Sequence, residues 1–189
     1  EELALQRMKN LVKLISILKN DKNLEVILVS SGAVGAGYTE LKLDKTILAN
    51  KQTLAAIGQP KLMKTYQEMF EEFGITVAQM LFIADDFDSR KRSKNAKNVM
   101  EILLQNNVIP IINENDVIAT EELIGDNDQL AAYITHYFKA DMLVILTDID
   151  GYYDKNPREF NDAKIQKIIN EISQDELDKK PSANSKFAT

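Results

Sequence analysis

The chain has no cysteine and only one histidine among its 189 residues. Without cysteine there is no disulfide framework and no thiolate metal site, and a cytoplasmic setting is the expectation. With His136 standing alone, Ser-His-Asp catalysis and multi-histidine metal sites lose their basis, and the residue is expected on a helix surface or edge. No apolar run approaches the ~20 residues that span a bilayer, so no membrane partner is expected. The opening Glu1-Glu2-Leu3-Ala4 has no basic n-region and no signal-peptide core. Positive charge is also scarce, with 23 basic against 29 acidic residues and a net charge of −6. An acidic chain is a poor general binder of nucleic acid. The one basic run, Arg90-Lys91-Arg92 with Lys94 and Lys97, reads as a solvated helix face. Internal repeats and low-complexity linkers are absent as well.

What is present is the balance of a globular protein, with 44% apolar and 28% charged residues. A chain of this length buries about 70% of its unfolded surface and forms one domain, or a domain plus a lobe. Leu3, Leu11, Leu14, Ile15 and Leu18 recur at helical spacing up to Asn20-Asp21. Val26–Val29 is a continuous apolar run, as expected of a strand buried on both faces. Lys51–Phe73 reads as a helix kinked or broken at Gly58 and Pro60. Ile75–Phe82, Val108–Ile112 and Met142–Leu146 are further strand candidates, and Ile165–Ile169 is a short one. Helices are expected over Asp88–Asn106 and from Gly125-Asp126-Asn127-Asp128 through Phe138, with Tyr152–Pro157 as a loop. Helices alternating with fully apolar strands predict an α/β fold around a mainly parallel sheet.

Three strand candidates end in small, polar clusters, where open α/β sheets hold their ligands. Ser30-Ser31-Gly32-Ala33-Val34-Gly35-Ala36-Gly37 lets a backbone approach an anion at a helix start, or is simply a tight turn. It matches neither the dinucleotide fingerprint nor the P-loop. Asn113-Glu114-Asn115-Asp116 combines amides and acids. Asp116 could pair with an ammonium, and Asn113 could serve either polarity, although a plain Asx-type turn has the same composition. Asn127 and Asp128 open a helix, either as caps or as a substrate contact and an acid that orients cations near phosphates. Thr147-Asp148-Ile149-Asp150-Gly151 could hold nucleotide groups or a metal's waters, but it is not a calcium loop. Tyr152 and Tyr153 could line an adenine pocket or divide between core and solvent.

Taken together, Val29–Val34, Lys51–Gln59, Gln79-Met80-Leu81, Pro110–Asp116, Gly125–Asp128 and Leu146-Thr147-Asp148 resemble the amino acid kinase family. Within it they are most similar to the branch that phosphorylates glutamate. The likeness runs from about Val26 to about Pro157. It implies a three-layer sandwich with an eight-stranded, mostly parallel sheet. It also implies ATP with Mg2+ and transfer to the side-chain carboxylate of L-glutamate, the first step of proline synthesis. By motif, Ser31, Asn113, Asp116 and Asn127 correspond to glutamate-binding positions, Thr147 and Asp148 to nucleotide contacts, and Asp128 to the acid that organises catalytic lysines. Proline as feedback inhibitor and a homodimer or homotetramer are further implications. The amino-acid lobe is expected over about 1–128 and the nucleotide lobe over about 129–189.

The family's opening strand with K-x-G-S/T, its G-G-M-x-T-K segment and the PUA domain of many members have no counterpart in the sequence. The chain therefore reads as trimmed at both ends, and this polypeptide alone is expected to be nearly inactive. Two rival readings are a kinase for another small acceptor, such as aspartate, acetylglutamate or a nucleoside monophosphate, and a non-catalytic glutamate or proline sensor.

Overall fold

A computed structural model describes residues 3–119, 127–147 and 150–169. The chain divides into two compact units, Glu1–Leu143 and Val144–Thr189. In the first unit the order is α1 (Leu5–Asn20), β1 (Leu28–Val29), α2 (Ala33–Glu40), α3 (Leu48–Glu71), β2 (Val77–Phe82), α4 (Ala84–Asp88), α5 (Arg90–Gln105), β3 (Ile109–Glu114) and α6 (Asn127–Phe138). The strands form a parallel sheet in the order β1-β3-β2.

The apolar run of β3 is continuous because both its faces are covered. Ile109 and Ile111 pack with Leu28, Met8, Val12, Ile15, Leu62, Tyr66 and Phe70, from β1, α1 and α3. The alternate residue, Ile112, packs with Phe82, Phe87, Met100, Leu130 and Ile134, from β2 and α4 to α6. Side chains two apart share a face of a strand, so one short segment anchors two cores. The result is helix, sheet and helix in three layers, as the alternation of elements predicts.

Several boundaries differ from the sequence reading, each for a physical reason. β1 covers only Leu28–Val29, not Val26–Val29. The cause is Pro110. The Ile109 N–H donates to the Thr76 carbonyl on the β2 side. By alternation, position 110 faces β1, where proline has no N–H to give. The ladder to β1 therefore starts only at Ile111, two residues after the ladder to β2. In contrast, α3 runs unbroken through Pro60. Pro60 and the residue one turn before it, Ala56, are both exposed. The carbonyl that Pro60 leaves unpaired can thus be hydrated. The helix expected from Asp88 starts at Arg90 instead, after Ser89, whose side chain caps the Arg92 N–H. As expected, His136 and most of the basic run on α5 are exposed.

The predicted strand Met142–Leu146 is absent: the described residues give it no ladder. Met142, Val144 and Leu146 are 77%, 69% and 68% exposed. Apolar composition favours a strand only where a neighbour completes its backbone hydrogen bonds. In the second unit, β4 (Tyr152–Tyr153) pairs antiparallel with β5 (Ile165–Gln166). The expected loop from Tyr152 thus begins in a strand, and the strand expected over Ile165–Ile169 keeps only its first two residues. No described helix is long and apolar enough to cross a membrane.

Candidate active site

β1 and β3 end side by side. Val29 is in register with Ile112, and the Ser30 N–H donates to the Ile112 carbonyl at 2.8 Å. The two polar clusters that follow these strands therefore start from adjacent positions at the carboxyl edge of the sheet, where such folds bind ligands. On the other side of β3, Leu81 and Phe82 of β2 are in register with Asn113 and Glu114.

After β1 the backbone turns sharply at Gly32, whose φ of 108° suits glycine, and enters α2. Ser30 is buried. Its Oγ lies 3.0 Å from the Tyr66 hydroxyl and 3.2 Å from the Ser31 carbonyl. It ties the turn to α3 instead of facing a ligand, whereas Ser31 is exposed. The glycines of α2 and α3 divide by role. A Cβ at Gly37 would come within 1.9 Å of the Leu54 carbonyl oxygen, and one at Gly58 within 1.8 Å of the Ala33 carbonyl oxygen. These two let α2 and α3 touch backbone to backbone. Gly35 has open space around it.

After β3, Asn113 is 3% exposed. Its Nδ2 donates to Gln59 Oε1 at 2.9 Å, and its Oδ1 accepts the Glu114 N–H at 2.9 Å. The Asn115 N–H donates to the Phe82 carbonyl at 2.8 Å, and Ile118 and Ala119 donate back to the Asn115 carbonyl, so the segment folds into a turn. Gln52 of α3 donates to the Ala119 carbonyl at 3.1 Å and closes that turn.

The turn carries two half-buried acids. Burial first, and then the neighbouring Asp116 charge, push the Glu114 carboxyl up to about 7, against the opposing pull of Lys51. Burial also raises Asp116, and Lys51 again opposes the shift. Both carboxylates thus lie within the field of Lys51, which favours their ionised forms. Asn127, the first residue of α6, has a buried Oδ1 with no hydrogen-bond partner among the described residues. Such an atom calls for a ligand or water. Asp128 follows it and is exposed.

Of the predicted site residues, Ser31, Asn113, Asp116, Asn127 and Asp128 belong to the first unit. Thr147 is exposed and belongs to the second. Asp148 lies outside the described residues. Sequence reading placed Glu114 in the Asn113–Asp116 cluster and Lys51, Gln52 and Gln59 in a family-like stretch, but gave none of the four a role in the site. The two glutamines are seven residues apart, two helical turns, and so share a face of α3. That polar stripe was the available signal.

Glu114 has a measurable consequence. Its native value lies above its ordinary 4.5, so the native state keeps a proton that the unfolded chain releases. The stability linked to Glu114 is complete below about 4.5 and is lost as pH rises to about 7. Glu114→Gln is therefore expected to raise Tm relative to the parent at pH 8, with the gain fading by pH 5. A constant difference across that range would deny the buried charge.

The amino acid kinase family model matches residues 2–189. The glutamate 5-kinase of Wolinella succinogenes is 55% identical over 193 residues, covering 100% of this chain and 74% of that protein. The glutamate 5-kinase of Leishmania donovani is 50% identical, covering 100% of this chain and 72% of its own. That of Helicobacter hepaticus is 50% identical, covering 97% and 69%. Among solved structures, a product complex of an isopentenyl phosphate kinase from T. acidophilum superposes with a TM-score of 0.53 at 16% identity, over 84% of this chain and 68% of that one. That likeness speaks to the fold alone. With its parallel sheet, its polar strand ends and these matches, the chain belongs to the amino acid kinase family, alongside the glutamate 5-kinases.

Proposed function

We propose that the protein transfers the γ-phosphoryl group of ATP to the side-chain carboxylate of L-glutamate, giving glutamyl 5-phosphate and ADP, the first step of proline synthesis. The observation that carries this reading is the pair of half-buried acids, Glu114 and Asp116, within the field of Lys51 at the end of β3. An excess negative charge held away from water suits the ammonium of a free amino acid.

In this reading Asp116 holds the ammonium, while Ser31, Asn113 and Asn127 contact the rest of the glutamate. The distal carboxylate oxygen attacks the γ-phosphorus in line, the bond to the β-phosphate oxygen breaks, and ADP leaves with that electron pair. Asp128 orients the cations that offset the charge spreading over the transferring group. Thr147 and Asp148 contact the nucleotide. Magnesium enters as the counter-ion of the triphosphate, which needs one or two protein carboxylates at most. Among the described residues no cluster of three acids or histidines could cage a metal alone. Proline has a cationic nitrogen and a carboxylate on one carbon, as glutamate does, so it competes for the same end of the site. A cytoplasmic homodimer or homotetramer completes the proposal.

The test is ADP release by the purified full-length protein with MgATP and a panel of acceptors. Glutamate is expected to support turnover, and aspartate and nucleoside monophosphates are not. N-acetylglutamate is the informative acceptor, because its amide cannot answer the two acids. Equal turnover with it would overturn the ammonium site. Calorimetric binding of glutamate without ADP release would favour a sensor.

A further inference from the structure

We propose that Gln59 is a positioning residue for acceptor binding: it locks the side-chain amide of Asn113 in one orientation and so fixes which polar group the substrate meets. This rests on Asn113 as a glutamate contact in the function proposed above.

An asparagine amide can rotate by half a turn and exchange donor for acceptor with almost no change in shape. Here it cannot do so freely. The Glu114 backbone N–H can only donate, and it lies 2.9 Å from the Asn113 side chain, so the oxygen must face it. The Asn113 nitrogen must then face Gln59, which answers with its own oxygen at 2.9 Å. That choice turns the Gln59 nitrogen outward, toward Gln79 Oε1 at 3.4 Å. One backbone N–H thus sets the polarity of three amides in a row, on β3, α3 and β2. Asn113 is 3% exposed, so water does little to stabilise the opposite orientation. Among the described residues one Nδ2–H and one Oδ1 lone pair remain on Asn113, each in a fixed direction. Without Gln59, the amide is held from one side only.

The test is a double-mutant cycle on the full-length protein. Gln59→Met keeps the length of the side chain and removes its acceptor. It is expected to raise KM for glutamate about tenfold, the effect of one hydrogen bond to a charged substrate, with KM for ATP unchanged. In an Asn113→Ala background, Gln59→Met is expected to add nothing. A second readout needs no turnover. The Asn113 side-chain amide protons should exchange slowly with solvent in the parent and in Gln59→Glu, which still offers an acceptor, and rapidly in Gln59→Met. Multiplying losses in the cycle, or slow exchange in Gln59→Met, would make Gln59 a packing residue and overturn the proposal. A parent protein that releases no ADP with glutamate would instead remove the substrate reading, and with it the role of Gln59 in acceptor binding. The exchange rates would still decide whether Gln59 holds the amide.

Discussion

Gly58→Ala is expected to lower stability by about 3 kcal/mol, the upper end of ordinary overpacking, and to abolish glutamate turnover with it. The new methyl group would sit 1.8 Å from the Ala33 carbonyl oxygen and 2.4 Å from the Gly37 amide nitrogen. Neither atom belongs to a side chain that could swing away, so α2 and α3 must separate. The strand-end turn Ser30-Ser31-Gly32 leads directly into α2, so its geometry is lost at the same time. Gly37→Ala meets the Leu54 backbone from the opposite side and is expected to behave alike. Gly35→Ala, in the same helix with nothing within 4 Å, is the control. Alanine is the better helix former, by about 0.5–1 kcal/mol, so this variant should be neutral or slightly more stable. Urea unfolding of the three proteins decides the matter. Equal shifts for Gly58→Ala and Gly35→Ala would deny the backbone contact.

Asp116→Asn is expected to raise KM for glutamate by about two orders of magnitude, the scale of a lost charge-assisted pair, while KM for ATP stays within twofold. Asparagine keeps the shape and removes the charge that an ammonium would seek. A second effect accompanies the first. The Asp116 charge is one of the influences that raise Glu114, so its removal should bring the Glu114 titration below its parent value of about 7. In the parent, glutamate binding should tighten as pH rises through that value, because an ammonium prefers Glu114 ionised. In the variant the midpoint of that profile should move to lower pH. An unchanged KM, or an unchanged midpoint, would take Asp116 out of the substrate site.

The middle strand β3 could be read from sequence because it is short, rich in isoleucine and apolar on both faces. The polar strand ends Ser30-Ser31 and Asn113-Glu114 then pointed to one edge of the sheet. Single residues caused the failures. Pro110 shortened β1, although a proline inside a presumed central strand was itself a warning. Pro60 gave the opposite error, since a proline on the wet side of a long helix does little harm. Met142–Leu146 has the composition of a strand, but composition cannot supply a neighbour. Gln59 and Lys51 lie outside the strand-end clusters, and only the crossing of α3 over the sheet brings them to the site. Gly37 and Gly58 belonged to motifs whose glycines suggested phosphate binding or a break in the helix. Their position shows them to be the places where two helices meet.

The order β1-β3-β2 also has a consequence for biosynthesis. The middle strand is the last of the three to leave the ribosome. Until residues 109–114 emerge, β1 and β2 are two isolated segments, and neither can pair with the other in the native arrangement. The nascent chain therefore exposes two unpartnered edges over much of its translation, when chaperones have most to do. When β3 arrives it joins both edges and carries Asn113 and Glu114 to the carboxyl end of the sheet, so the three strands come together in a single late event.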